Sequence, residues 1–178
     1  MSKDISKNSL EISNDFEIST NSSSDDSQSS DGSEASNSKI STSISYYLIE
    51  NLGLGLNWAY TNQEWSSNVS GTTTIITNAI GPKLSFHIGV NEKTNIKIFS
   101  SYSKLSSSIK TVGTEFDRKA STNGSSWSIG VGIAVFLIDN ISLNVLADRY
   151  KINTRTSDIE GNNKSSGASV KAGISVYL

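Results

Sequence analysis

The residues able to do chemistry are few and far apart. His87 is the one histidine, and there is no cysteine. Any imidazole-based acid, base or nucleophile relay must therefore include His87, while thiol catalysis, disulfides and thiolate metal sites are excluded. Asp25, Asp26, Asp31 and Glu34 sit in a Ser-rich acidic tract. Their type suits calcium, but their spacing does not match an EF-hand, so the tract reads as a solvated loop. Gly53-Leu54-Gly55 and Gly130-Val131-Gly132 place glycine where bulk is excluded and do not form a nucleotide fingerprint. What remains is a scatter of charges: Glu11, Asp15, Glu17, Lys83, Lys97, Asp148 and Lys171. Each alternates with apolar neighbours, so its meaning depends on the element that carries it.

Those elements read as strands. In the last 12 residues Ala168, Val170, Ala172, Ile174, Val176 and Leu178 share one face, and Gly167, Ser169, Lys171, Gly173, Ser175 and Tyr177 share the other. A wholly apolar face of that length suits a strand crossing a bilayer, for which about 9–11 tilted residues suffice. Lipid offers no partners to backbone amides, so such a sheet must close on itself. The same alternation recurs from about Ser9 to Thr20, in Ile40 to Ile49, Leu52 to Thr61, Thr74 to Val90, Asn95 to Ser103, Trp127 to Leu137 and Ile141 to Ile152. Three segments, around Glu50-Asn51, Asn91 to Thr94 and Asp139-Asn140, repeat a strand–turn–strand pattern roughly every 45 residues.

The expected fold is all-β: an eight-stranded antiparallel up-and-down transmembrane β-barrel. Residues 1–8 form a flexible N-terminal segment, and residues 9–178 the barrel, with long polar loops near 21–39, 62–72, 104–125 and 153–165. Short connections at one end and long ones at the other match outer-membrane barrels.

Composition agrees. Lys+Arg 15 against Asp+Glu 17 gives no basic excess, so nucleic acid is not an expected partner. Charged residues are 18 % of the chain, against about 25 % in soluble domains, and small polar residues fill the difference. Small residues on the polar face suit a crowded barrel interior, with the seven charges there as a paired network that plugs or gates the lumen, in which Lys171 on the last strand is expected beside Glu11, Asp15 or Glu17 on the first, where the barrel closes. Tyr46, Trp58, Tyr60, Phe86 and Trp127 fall on the apolar face near the two ends, as membrane-interface aromatics do.

Particular motifs carry a family resemblance. The chain end resembles the assembly signal of Gram-negative outer-membrane barrels, with Lys171, Gly173, Val176 and Leu178 in its key places and Leu178 where that family usually ends in Phe. Tyr46-Tyr47-Leu48 and Phe136-Leu137 before acidic-Asn turns, Gly81-Pro82, and Phe86-His87 in place of paired Tyr are similar to the small barrel family of the OmpA transmembrane domain and OmpX type. The resemblance implies a bacterial outer-membrane location. Its implied partners are outer-membrane lipids, the barrel-assembly machinery during biogenesis and an unidentified loop ligand. It also implies no enzymatic activity and no cofactor. Met1-Ser2-Lys3-Asp4 is not a secretory signal, so the expectation is a mature chain whose signal peptide was removed and whose Met1 was added. The other readings are a narrow pore for small solutes and a soluble lipocalin-like carrier.

Overall fold

The computed structural model describes residues 4–23, 33–67, 71–112, 117–156 and 162–178. It contains β1 (Leu10–Ser23), β2 (Ser33–Ile49), β3 (Leu52–Ser67), β4 (Gly71–Asn91), β5 (Thr94–Val112), β6 (Asp117–Ile138), β7 (Ile141–Thr156) and β8 (Asn162–Tyr177). Each strand pairs antiparallel with the next, and β1 pairs with β8 from Glu11↔Tyr177 to Phe16↔Ala172, so the sheet closes into a barrel.

The apolar side of each strand points outward. Leu56 is 62 % exposed, Val131 51 % and Val170 68 %, whereas Ser13, Ser43, Ser85 and Ser175 are buried inside. This is the inverse of a water-soluble carrier, where aliphatic side chains line the interior. A face of exposed leucine, isoleucine and valine gains nothing in water but is fully compatible with hydrocarbon.

The three short turns share one construction. A register shift falls between Tyr47 and Ile49, between Gly89 and Asn91, and between Phe136 and Ile138, so every hairpin carries a bulge just before its turn. Asn51 in the first turn has φ 65°, the left-handed conformation that asparagine tolerates better than most residues.

Two expectations need correction. Strand pairing continues through much of what reads as polar loop: Lys39 pairs with Glu17, Lys104 with Ser125, and Asn153 with Lys164. Beyond the membrane both faces of a ribbon meet water, so apolar alternation disappears although backbone pairing does not. Hydroxyl pairs such as Thr73 with Thr111 at 3.2 Å and Thr77 with Ser107 at 2.8 Å replace it. Asp25, Asp26 and Asp31 lie outside the described residues.

The second correction concerns the segment before β1. Residues 4–8 are seated across the short-turn mouth: the Ile5 amide donates to Asn51 Oδ1 at 2.7 Å, the Asn51 amide to Ile5 O at 3.0 Å, and the Asn8 amide to Tyr47 O at 2.8 Å. The Ile5 side chain is buried against Tyr47, Phe136 and Tyr177. One aliphatic residue is enough to dock the segment, because the barrel mouth beneath it is apolar. No periodicity announces so short a contact.

Candidate functional site in the barrel lumen

Closure of the barrel stacks inward side chains in layers. At the short-turn end the amides of Tyr47, His87, Phe136 and Tyr177 donate to the carbonyls of Ser9, Asn51, Lys93 and Asn140, at 3.0, 2.9, 2.7 and 2.8 Å. Each lies on an even-numbered strand, and each repeats the same contact with the connection before it. The recurring hairpin thus delivers one ring per repeat to the same level. Tyr47 and His87 are 5.7 Å apart between centroids, His87 and Tyr177 6.1 Å, and Phe136 and Tyr177 5.3 Å, within the range of favourable ring contacts. Ile5 covers this layer from below.

Directly above it stands Glu11. Its carboxylate accepts from Tyr47 Oη at 2.7 Å and Ser175 Oγ at 2.8 Å, and pairs with Lys97 Nζ. His87 Nε2 approaches at 3.8 Å. Glu11 and Lys97 have no exposed surface, and Asn95 and Asn144 beside them are buried too. An isolated charge at such a place would be very unfavourable, so the pair and its hydroxyl donors are required together.

A wider chamber of about 210 Å³ opens above, toward the long ribbons, lined by Glu17, Lys39, Lys83, Phe99, Asp148 and Lys171 among others. Lys171 Nζ meets Asp148 Oδ2 at 2.5 Å, with Ser169 Oγ on the other carboxylate oxygen. Lys39 Nζ lies 3.7 Å from Glu17 Oε2, and Lys83 Nζ donates to Ser43 Oγ at 2.7 Å. Lys83 and Lys171 both stand about over the Phe99 ring, at 5.7 and 6.0 Å from its centroid. Among the described lumen side chains, Glu11, Asp15, Glu17 and Asp148 balance Lys39, Lys83, Lys97 and Lys171.

The seven charges read from the sequence thus all face the lumen, but their partners differ from expectation. Lys171 does not reach Glu11, Asp15 or Glu17 on the neighbouring β1. It turns to Asp148 on β7, one diagonal step away in a register that pairs Asp148 with Ser169. Glu17 is held instead by its direct cross-strand partner Lys39, which falls inside the polar loop expected near 21–39. Tyr46, Trp58, Phe86 and Trp127 point outward and are exposed, and Tyr60 points outward half-buried. Of the chain-end residues, Lys171 and Gly173 face inward, while Val176 and Leu178 face outward.

Several lumen residues lie beyond the charges expected there: Ile5, Lys39, Tyr47, Phe99, Phe136 and Tyr177, of which Tyr177 already falls on the inward face of the last strand by alternation. For Tyr47, Phe136 and Tyr177 a signal existed, since each is an aromatic residue following an outward Tyr or Val at the foot of a hairpin or of the last strand. Phe99 has a subtler signature. It lies opposite Gly130 in register, and a β-carbon on Gly130 would come within 2.4 Å of the Phe99 ring. Tyr47 over Gly53 and Tyr150 over Gly167 repeat the arrangement. An inward ring occupies the space its partner glycine vacates.

Comparison with known proteins places this architecture. The signature of the family described as outer membrane protein beta-barrel domain matches residues 10–173. Neisserial surface protein A is 14 % identical, with a TM-score of 0.56 over 94 % of this chain and 96 % of that one. The outer membrane protein OprG from Pseudomonas aeruginosa is 11 % identical, with a TM-score of 0.61 over 98 % and 97 %. Ail, the attachment invasion locus protein of Yersinia pestis, is 12 % identical, with a TM-score of 0.57 over 97 % and 99 %. At these identities the likeness is one of fold. No curated protein matches the chain in sequence.

Proposed function

The chain belongs to the outer-membrane β-barrel family, and from that premise we propose that it is a non-enzymatic surface barrel, closed to solutes, whose paired ribbons beyond the membrane are its contact surface. Family membership implies the bacterial outer membrane. The observation that carries the reading is the cross-section at Glu11, where Lys97 arrives from the opposite wall above four packed rings and Ile5. That this charged pair has no exposed surface supports a lumen closed to water at that level.

The ribbons support the other half of the reading. β4, β5 and β6 run for 21, 19 and 22 residues, where about 9–11 cross a bilayer. His87, the sole imidazole, lies behind the seal at the end opposite the ribbons, out of reach of any substrate arriving from outside. During biogenesis β8 would be the strand presented to the barrel-assembly machinery, with Lys171, Gly173, Val176 and Leu178 as its signal.

Planar-bilayer recording of the refolded protein tests the closure. The expected trace shows no steady conductance steps. Stable, solute-permeant steps from the unmodified chain would replace this reading with that of a narrow pore.

A further inference from the structure

The outer wall is not uniform around the barrel. On β5–β8, Lys104, Arg149, Lys151, Arg155 and Lys164 project outward and are exposed. The register gathers them: Lys151 lies opposite Trp127, which lies opposite Tyr102, and one step further along, Lys104, Ser125, Asn153 and Lys164 form a continuous row. Higher on the same wall, Lys110 lies directly opposite Lys119. Outward side chains described on β1–β4 include Glu64 but no lysine or arginine. The basic residues therefore occupy one wall, beginning in the rows of the outer aromatic residues.

Like charges set across a strand pair lower stability. None of these five forms an ion pair with a described residue. Below them the wall thins. The small outward side chains of Ala147 and Ala168 leave a groove of about 590 Å³ flanked by Ile98, Ile129, Val131 and Val170, with Arg149 at its edge.

The geometry points to this wall as a binding surface for a phosphate-bearing lipid of the outer leaflet, its acyl chain in the groove and its phosphate on Arg149, Lys151 and Lys164. Guanidinium and ammonium groups are the natural partners of phosphate oxygens, and a basic cluster at a membrane surface recruits anionic headgroups. A soluble polyanion would contact the upper ribbons alone. It would leave unexplained why an arginine stands one row inside the Trp127–Tyr102 row, above an apolar groove. The inference rests on the membrane-barrel reading and adds which wall, and which lipid chemistry, the barrel selects.

The test uses the full chain refolded into phosphatidylcholine vesicles containing bisphosphorylated lipid A, extracted in mild detergent and weighed by native mass spectrometry. The wild type should retain lipid A. The triple variant Arg149→Gln, Lys151→Gln, Lys164→Gln should retain at least about fivefold less, and Ala147→Leu, which fills the groove while keeping every charge, should also retain less. Equal retention by wild type and triple variant overturns the inference. So does charge-dependent binding of heparin in lipid-free detergent without lipid A retention, which would mark a polysaccharide surface. Heat-shifted gel mobility, run on every sample, separates the two levels. A wild type that shifts but retains no lipid removes this inference alone, and one that does not shift removes the membrane barrel as well.

Discussion

Glu11 on β1 and Lys97 on β5 start from diametrically opposite walls of the eight-strand ring and meet at its axis. No other ion pair described here crosses the full lumen: Lys39 reaches the adjacent strand, and so does Lys171. The Glu11–Lys97 contact ties together walls that are four strands apart and fixes the barrel's cross-section at the level of the aromatic layer.

Breaking that tie from one side should be far worse than removing it altogether. Lys97→Met strands a buried carboxylate and should lower stability by about 3–5 kcal/mol, whereas the double variant Glu11→Gln, Lys97→Met should lose much less. Urea unfolding in vesicles measures both. Additive losses in the double variant would show that the two side chains do not act as a pair.

Gly130 should resist even the smallest enlargement. Its β-carbon would stand 2.4 Å from the Phe99 ring and 2.6 Å from Ala147 O. Gly130→Ala should cost about 1–3 kcal/mol. Adding Phe99→Leu should recover part of that, because the ring can yield and the carbonyl cannot. A neutral Gly130→Ala would mean that the ring is not seated on the glycine.

Ile5 should behave as a stopper. Ile5→Ala removes buried methyl groups from the layer of Tyr47, Phe136 and Tyr177, a loss of about 2 kcal/mol or more where nothing refills the space. Hydrogen exchange should quicken at the amides of Asn8 and Asn51, which depend on the docked segment. Unchanged exchange at both would detach the segment from the mouth.

How far the sequence discloses this protein follows from which forces leave a periodic trace. Lipid on one side and a packed lumen on the other impose a period of two, so Leu52 to Thr61 and Trp127 to Leu137 announce both their strand and its sides. The ribbons beyond the membrane face water twice, and Ser-rich stretches such as 104–112 carry no such mark although their backbones are paired. Ion partners leave no trace either. Which acid Lys171 meets depends on stagger and on the reach of a side chain around the wall, and the pattern of residues places Glu17 and Asp148 in equally suitable positions. Ile5 docks through a single side chain, and one residue has no period.

The claim beneath all of this is that hydrocarbon meets the outward face of each strand, and spin labels can ask it directly, because the chain has no cysteine to compete for them. Cysteines placed singly at Leu143, Val145, Ala147, Lys151 and Asn153, all outward on β7, would be labelled in refolded vesicles and probed with oxygen and with a water-soluble nickel chelate. The account predicts high oxygen and low nickel collision at Leu143, Val145 and Ala147, with the order reversing by Asn153. Nickel reaching Val145 as freely as Asn153 would contradict it.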